Sequence, residues 1–315
     1  MRRTAKISVI IPMHNSASYI GQCIQSVIRQ SYQNWEIVVI DDGSTDKSVE
    51  ICRELSAAEN RIHVFCQEHR GVSAVRNQGI EEAAGEFLLF LDSDDAIHTR
   101  FMETLIGLAE KYDAEMTMCR YRKVNMDQIE RGAQGIDSDE RRTVCRIGAE
   151  KEAEEWFHIK YTKQLSAIGG KMIRRQAIGD LRFDENLSRG EDTLFLYHLI
   201  CRQIRIVYLE REWYYYRMHE KNTTNIFEAK DDSSFDCIRS IRNREFDKGR
   251  IKFALTWERM LVAQMTNRLI KAKKIKDKNA CQHLNRIAVE ERQHPLYRKL
   301  DICSKLKVVI CMRYS

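Results

Sequence analysis

Nine consecutive residues constrain this 315-residue chain more than any others: Phe87-Leu88-Leu89-Phe90-Leu91-Asp92-Ser93-Asp94-Asp95. Five apolar residues in a row predict a strand buried on both faces, the kind found inside a parallel sheet. Three carboxylates within the next four residues stand at its carboxyl end, where open α/β sheets bind their ligands. Carboxylates leaving a strand in alternation can converge on a hard divalent cation shared with substrate phosphates. The plainer alternative is an acidic turn that caps the next helix. The rest of the chain decides between them.

Upstream, Ile7-Ser8-Val9-Ile10-Ile11-Pro12 is β-rich and stops at one of only two prolines. Asn15 or Ser18 can cap the helix that follows. Its apolar positions Ile20, Cys23, Ile24, Val27 and Ile28 recur at the spacing of one helix face. Glu36 to Ile40 predicts a second strand, and it too ends in acid: Asp41-Asp42-Gly43-Ser44-Thr45-Asp46. Gly43 supplies a turn, and Ser44, Thr45 or Asp46 caps a helix to about Glu59. A third strand, Ile62 to Cys66, leads through Gln67-Glu68-His69-Arg70-Gly71 to a helix from Val72 to Ala84 that carries Arg76 and Asn77. Strands alternating with helices predict right-handed βαβ units in a parallel sheet. Their carboxyl ends share one edge, so Asp41/Asp42 and Asp92/Asp94/Asp95 are expected to line one crevice.

The second half is less regular. Met102 to Lys111 predicts a helix and Ala114 to Tyr121 a strand, whereas Lys123 to Arg146 is polar and weakly patterned. Gly169-Gly170-Lys171 and Gly190-Glu191-Asp192 precede apolar runs, and Ile204–Leu209 and Trp213–Tyr216 predict two further strands. Charge divides the chain: residues 229–315 hold 21 Lys and Arg against 10 Asp and Glu, while residues 1–228 are five charges negative. An acidic front and a helical, basic tail point to two jobs. Ten scattered cysteines without a Cys-x-x-Cys point to buried free thiols in a reducing cytoplasm rather than disulfides or a metal site. No apolar stretch approaches the ~20 residues of a membrane span, and Arg2-Arg3 has no signal core behind it. No nucleic-acid-binding motif accompanies the basic tail.

Taken in order, Ile7–Asn15, Asp41–Asp46, Gly71–Asn77, Leu91–Asp95 and Gly190–Asp192 resemble glycosyltransferase family 2, the inverting enzymes of GT-A fold that use nucleotide-diphosphate sugars. The resemblance runs from about Ile7 to Asn222. It implies an α/β, Rossmann-like, mostly parallel sheet flanked by helices. Residues 1–228 would form the catalytic domain, with a nucleotide half at 1–122 and an acceptor half at 123–228. Residues 229–315 would form the helical, basic C-terminal region. It implies Asp42, with Asp41 beside it, against a uracil-like edge framed by Pro12, His14 and Asn15, with Arg76 in the nucleotide pocket. His14 stands where the family commonly has tyrosine. Asp92 is expected near the ribose, Ser93 in the nucleotide-sugar site and Asp94 on Mn²⁺ or Mg²⁺, with Asp95 supporting the loop. Asp192, beside Glu191, is expected to be the general base, although Gly190-Glu191-Asp192 also reads as a plain helix start.

Three weaker expectations accompany these. Lys171 contacts acceptor or phosphate, or is an exposed loop lysine. His219 joins Asp92 and Asp94 on the metal, neutral imidazole being an acceptable Mn²⁺ ligand. Trp156 sits near the acceptor or in the core. The resemblance implies a cytoplasmic enzyme working on a glycan or lipid-linked acceptor for a surface polysaccharide, with a UDP-sugar as donor. The segment Lys305–Arg313 mixes apolar and cationic residues, as an anchor on the inner, anionic membrane face would. A solvated helix face is its alternative. Rival functions are a polyprenyl-phosphate sugar synthase, a nucleotide-sugar module without turnover, and a nucleotide-cofactor oxidoreductase. The last lacks a Gly-x-Gly-x-x-Gly after its first strand, where Pro12-Met13-His14-Asn15 stands.

Overall fold

The structure, a computed structural model, describes residues 5–125, 147–148, 167–219, 231–301 and 305. Most of the polar stretch from Lys123 to Arg146, Trp156, and all of the cationic tail except Lys305 lie outside the described residues. Contacts group the chain into two compact units, the second comprising Asn186–Leu194 and the described residues from Asp231 onward. The expected division at 228/229 was continuous. Asn186–Leu194 instead groups with the C-terminal unit, because its loop is bonded to the start of a C-terminal helix described below.

In the first unit, β1 (Ile7–Met13), β2 (Trp35–Asp42), β3 (Ile62–Gln67) and β4 (Phe87–Phe90) form the parallel order β3-β2-β1-β4. Every residue of β1, β2 and β4 is buried, as their β-branched and aromatic runs require. Between them run α1 (Ile20–Ile28), α2 (Ser48–Ala58) and α3 (Val72–Glu82). α1 buries Ile20, Cys23, Ile24 and Val27, the predicted face. Neither Asn15 nor Ser18 caps it. Asn15 takes a left-handed φ of 49°, and its side chain instead accepts from Thr45 N at 2.9 Å. Asp46 does close the start of α2, accepting from Ser48 N at 2.9 Å.

Beyond β4 come β5 (Ala96–Ile97), α4 (Phe101–Tyr112), β6 (Met116–Val124), β7 (Ile147–Gly148), β8 (Lys171–Arg174), α5 (Arg175–Ile178), α6 (Glu191–Ile200) and β9 (Ile206–Arg217). The sheet continues β4-β8-β6-β9-β5, with β7 on β9. It is parallel through its first four strands and mixed after β4, where β8 pairs antiparallel to both neighbours. The two strands expected at Ile204–Leu209 and Trp213–Tyr216 are one. The polar residues Glu210-Arg211-Glu212 separate the two apolar runs, but a register shift opposite Cys119 and Arg120 of β6 carries the chain through.

Gly85, between α3 and β4, sits where no side chain fits. A Cβ there would lie 2.6 Å from Ser8 N and 2.8 Å from Lys6 O. Gly85→Ala therefore has to push β1 from β4, and its urea midpoint is expected to fall by the equivalent of about 1–3 kcal/mol.

The C-terminal unit holds α7 (Ser233–Asp247), α8 (Ile251–Lys274), α9 (Lys278–Glu291) and α10 (Pro295–Arg298). α8 buries Phe253, Trp257, Leu261, Met265 and Leu269 along one face. Part of the basic charge is internal. Buried Arg242 of α7 pairs with Glu258 of α8 at 2.7 Å and with Glu291 of α9. A buried cluster of this kind adds little net stability, because the cost of desolvating its charges offsets their attraction. Among the described residues no helix is long and apolar enough to cross a membrane.

Candidate active site

β2, β1 and β4 are adjacent and parallel, so their carboxyl ends deliver Asp41/Asp42, His14 and Asp92 to one sheet edge. The shared edge inferred from the alternation of elements is present. On its β2 side, Asp42 is committed to the loop after β3. Its Oδ1 accepts from Gln67 Nε2 and Arg70 N, both at 2.8 Å. Its Oδ2 accepts from Gly71 N and lies 2.9 Å from His69 Nδ1. Asp41 is different. Its Oδ2 accepts from Ser44 N at 3.1 Å, but Oδ1 is buried without a hydrogen-bond partner among the described residues. A buried acceptor left so costs about 1–3 kcal/mol unless a donor arrives.

Burial pushes the Asp42 carboxyl up, but the hydrogen bonds from Arg70, Gln67 and Gly71, with His69 beside it, hold it below the usual carboxylate range. An unfolded aspartate titrates at about 3.9, so this contribution to stability is present above about pH 4 and is lost as pH falls further. In Asp42→Asn, urea unfolding is expected to occur at lower denaturant at pH 7 and to depend less on pH between about pH 5 and 2.

His14 is exposed at the end of β1, its Nδ1 lying 2.8 Å from Asp42 O. Its ring lies 4.7 Å from that of His69, tilted by 39°. His69 was not singled out from the sequence; nothing local marks it, and only the β2–β3 pairing brings it to His14. Asn15 N donates to Ser44 Oγ at 2.8 Å, tying the β1 and β2 loops together. Pro12 is buried within β1 opposite Ile40. Arg76 of α3 is buried and reaches Asp92 Oδ1 with Nη2 at 3.3 Å.

On the β4 side the three carboxylates separate by environment. Asp95 is fully buried, and its Oδ1 accepts from Arg217 N at 2.9 Å, which makes it the loop support that was expected. Burial and the charges of Asp92 and Asp94 push its carboxyl well up. Asp94 is half-buried, with Oδ2 2.8 Å from Nε2 of His219. Burial and Asp92 raise its carboxyl, and His219 only partly offsets them. His219 is held from behind. Tyr19 stacks on its ring at 4.6 Å, and the Arg217 guanidinium lies 5.2 Å over Tyr19. Arg217 is fully buried and donates to Asp94 O at 2.5 Å and Gln22 Oε1 at 2.7 Å. Tyr19 and Gln22 also escaped the sequence, because α1 and the end of β9 meet only through the fold.

Two expected site residues lie elsewhere. Ser93 is buried with its Oγ 2.7 Å from Ser16 Oγ, so it braces the loop rather than facing the edge. Lys171 is not an exposed loop lysine. It is 2% exposed at the start of β8, where backbone pairing requires extended chain, and its Nζ donates to the carbonyls of Ala167 and Gly169. Glu191 and Asp192 form the first turn of α6, both half-buried.

Asp94 and His219 bring a carboxylate oxygen and an imidazole nitrogen within 2.8 Å of each other, and the charge of Asp92 is near enough to raise the Asp94 carboxyl. Among the described residues no group of three His, Cys, Asp or Glu side chains forms a ready metal cage.

The family model for glycosyl transferase family 2 matches residues 8–182. Glycosyltransferase GlyA of Streptococcus pneumoniae serotype 4 is 32% identical over 232 residues, 71% of this chain. Those residues are 32% of GlyA, so the chain spans about a third of that relative's length. S. aureus TarS 1–349, solved with UDP-GlcNAc, superposes at a TM-score of 0.61 with 21% identity over 93% of this chain and 92% of TarS 1–349. The mannosyltransferase PcManGT from Pyrobaculum calidifontis, solved with GDP-Man and Mn²⁺, gives 0.56 at 14% identity over 99% of this chain and 87% of that one. These structural likenesses show a GT-A glycosyltransferase fold. The chain belongs to glycosyl transferase family 2.

Proposed function

We propose that the enzyme transfers a sugar, with inversion, from a UDP-sugar to a hydroxyl of a glycan or lipid-linked acceptor in surface polysaccharide synthesis. The observation that carries this is the pairing of Asp94 with His219 at the sheet edge that also holds Asp41. TarS was solved with UDP-GlcNAc and PcManGT with GDP-Man and Mn²⁺, which supports a nucleotide-sugar donor and a divalent cation here. Asp41 Oδ1 accepts from a base N–H such as that of uracil, against the His14–His69 pair. Asp92, steadied by Arg76, lies toward the ribose.

Asp94 and His219, with Asp92, would hold Mn²⁺ or Mg²⁺. The cation, when bound, neutralises the charge that develops on the departing diphosphate. The acceptor oxygen bonds to the anomeric carbon from the face opposite the leaving group, and the bond from that carbon to the diphosphate oxygen breaks. The hydroxyl proton passes to the Asp192 carboxylate, which acts as general base. An anionic inner membrane face as partner is part of the proposal and rests on the sequence of Lys305–Arg313 alone.

The test is release of nucleoside diphosphate from a panel of UDP-, GDP- and dTDP-sugars, in Mn²⁺ and in EDTA. Release from UDP-sugars in Mn²⁺ and not in EDTA is expected. Equal release with and without metal contradicts the cation's role, and release from GDP- or dTDP-sugars alone contradicts the uracil assignment.

A further inference from the structure

The three residues that precede the acid pair Glu191-Asp192 are each tied to the first turn of α7. Ser188 Oγ donates to Asp231 Oδ1 at 3.1 Å and lies 2.8 Å from Ser233 Oγ. Arg189 Nε lies 3.0 Å from Asp231 Oδ2. Gly190 O accepts from Cys237 Sγ at 3.3 Å. Gly190 itself has φ +90°, and a Cβ there would lie 3.1 Å from Cys237 Cβ. Glycine is therefore needed twice over, for the left-handed backbone and for the close approach. Three successive anchors on one helix start are more than a helix cap needs.

That helix start is itself fixed from the rest of the C-terminal unit. Asp231 Oδ1 also accepts from Ser233 N at 3.0 Å, and Asp231 O accepts from Arg268 Nη1 of α8 at 2.6 Å. Next to it, Asp232 Oδ2 lies 2.8 Å from His283 Nε2 of α9, and Arg268 lies 4.5 Å over the ring of Phe235. A line of polar contacts thus runs from α8 and α9, through Asp231 and Asp232, to the loop that carries the acid pair.

We infer that Asp231 is a positioning residue: the first turn of α7 sets where Asp192 stands, so the C-terminal helices belong to the catalytic apparatus. This rests on the reading of Asp192 as general base. A base must come within about 2.6–3.2 Å of the hydroxyl it deprotonates, and a shift of about 1 Å costs on the order of 10²-fold in rate. Loss of the anchor consequently falls on kcat, while the donor site, built on β1, β2 and β4, keeps its affinity.

The experiment is a double-mutant cycle between Asp231→Ala and Asp192→Asn, read as nucleoside diphosphate release from the fastest donor of the panel and as UDP affinity in Mn²⁺. Asp231→Ala is expected to lower kcat about 10- to 100-fold with donor KM and UDP affinity within about twofold of the parent. Asp231→Asn, which keeps an acceptor for Ser188 and Ser233 but loses the Arg189 ion pair, is expected to fall between them. In the Asp192→Asn background the Asp231→Ala effect is expected to vanish, because residues acting through one group are not additive. Unchanged kcat in Asp231→Ala, or an equal loss in both backgrounds, overturns the inference and leaves the base reading standing. A parental rate in Asp192→Asn alone overturns the base reading, and the inference with it. Should circular dichroism show Asp231→Ala unfolded, Arg189→Gln decides in its place. Its side chain is 28% exposed, and it is expected to lower kcat about 3- to 10-fold without altering UDP affinity.

Discussion

Asp192→Asn is expected to lower kcat by about 10²- to 10⁴-fold, the usual contribution of a positioned general base, while UDP affinity stays unchanged. The substitution separates two roles that the sequence left open. Asp192 lies in the first turn of α6, where an acidic side chain also favours a helix start. Asparagine serves a helix start about as well as aspartate and has the same shape, but it cannot take a proton from a hydroxyl. A helix-capping role predicts a normal rate and at most a few tenths of a kcal/mol in stability. A base predicts a normal melting temperature and a lost rate.

Asp94→Asn is expected to abolish the response to Mn²⁺ and to lower kcat/KM by about 10³-fold or more, since a Lewis acid on a diphosphate supplies several kcal/mol and each 1.36 kcal/mol is about tenfold. The same substitution is expected to raise the thermal midpoint. Burial and Asp92 push the Asp94 carboxyl up by more than His219 brings it down, so the ionised form costs the fold stability at neutral pH. Replacing it with a neutral amide removes that cost. A gain in melting temperature beside a loss of turnover is the mark of a group kept for chemistry. Equal loss of both would make Asp94 a structural residue.

The parallel half of the sheet was legible because β1, β2 and β4 are apolar runs buried throughout and α1 shows a single buried stripe. The edge of carboxylates followed from that topology alone. Local pattern failed where a local rule met a tertiary one. Glu210-Arg211-Glu212 interrupts two apolar runs that predict separate strands, but β6 accommodates it with a register shift. Asn15 reads as a cap, yet its side chain is taken by Thr45 N. Lys171 reads as an exposed or anion-binding cation, but strand pairing buries it and backbone carbonyls receive its charge. The acidic pair at the end of β2 was legible as a pair; which of the two keeps a free oxygen depends on the Gln67–Gly71 loop closing on Asp42. His69, Tyr19 and Gln22 meet their partners from distant segments, and no window of sequence contains both halves of such a contact. The net charge of the C-terminal region likewise does not disclose that Arg242 lies in an internal ion cluster, or that Arg268 and His283 fix the helix start that holds the acidic loop.

The account stands or falls on whether the Asp94–His219 edge binds a nucleotide diphosphate through a divalent cation. Calorimetric titration of UDP into the parent enzyme and into Asp94→Asn, each with Mn²⁺ and with EDTA, measures this directly. Binding to the parent that requires Mn²⁺, and that is lost in Asp94→Asn, is the predicted result. UDP binding of equal affinity in all four titrations would contradict it.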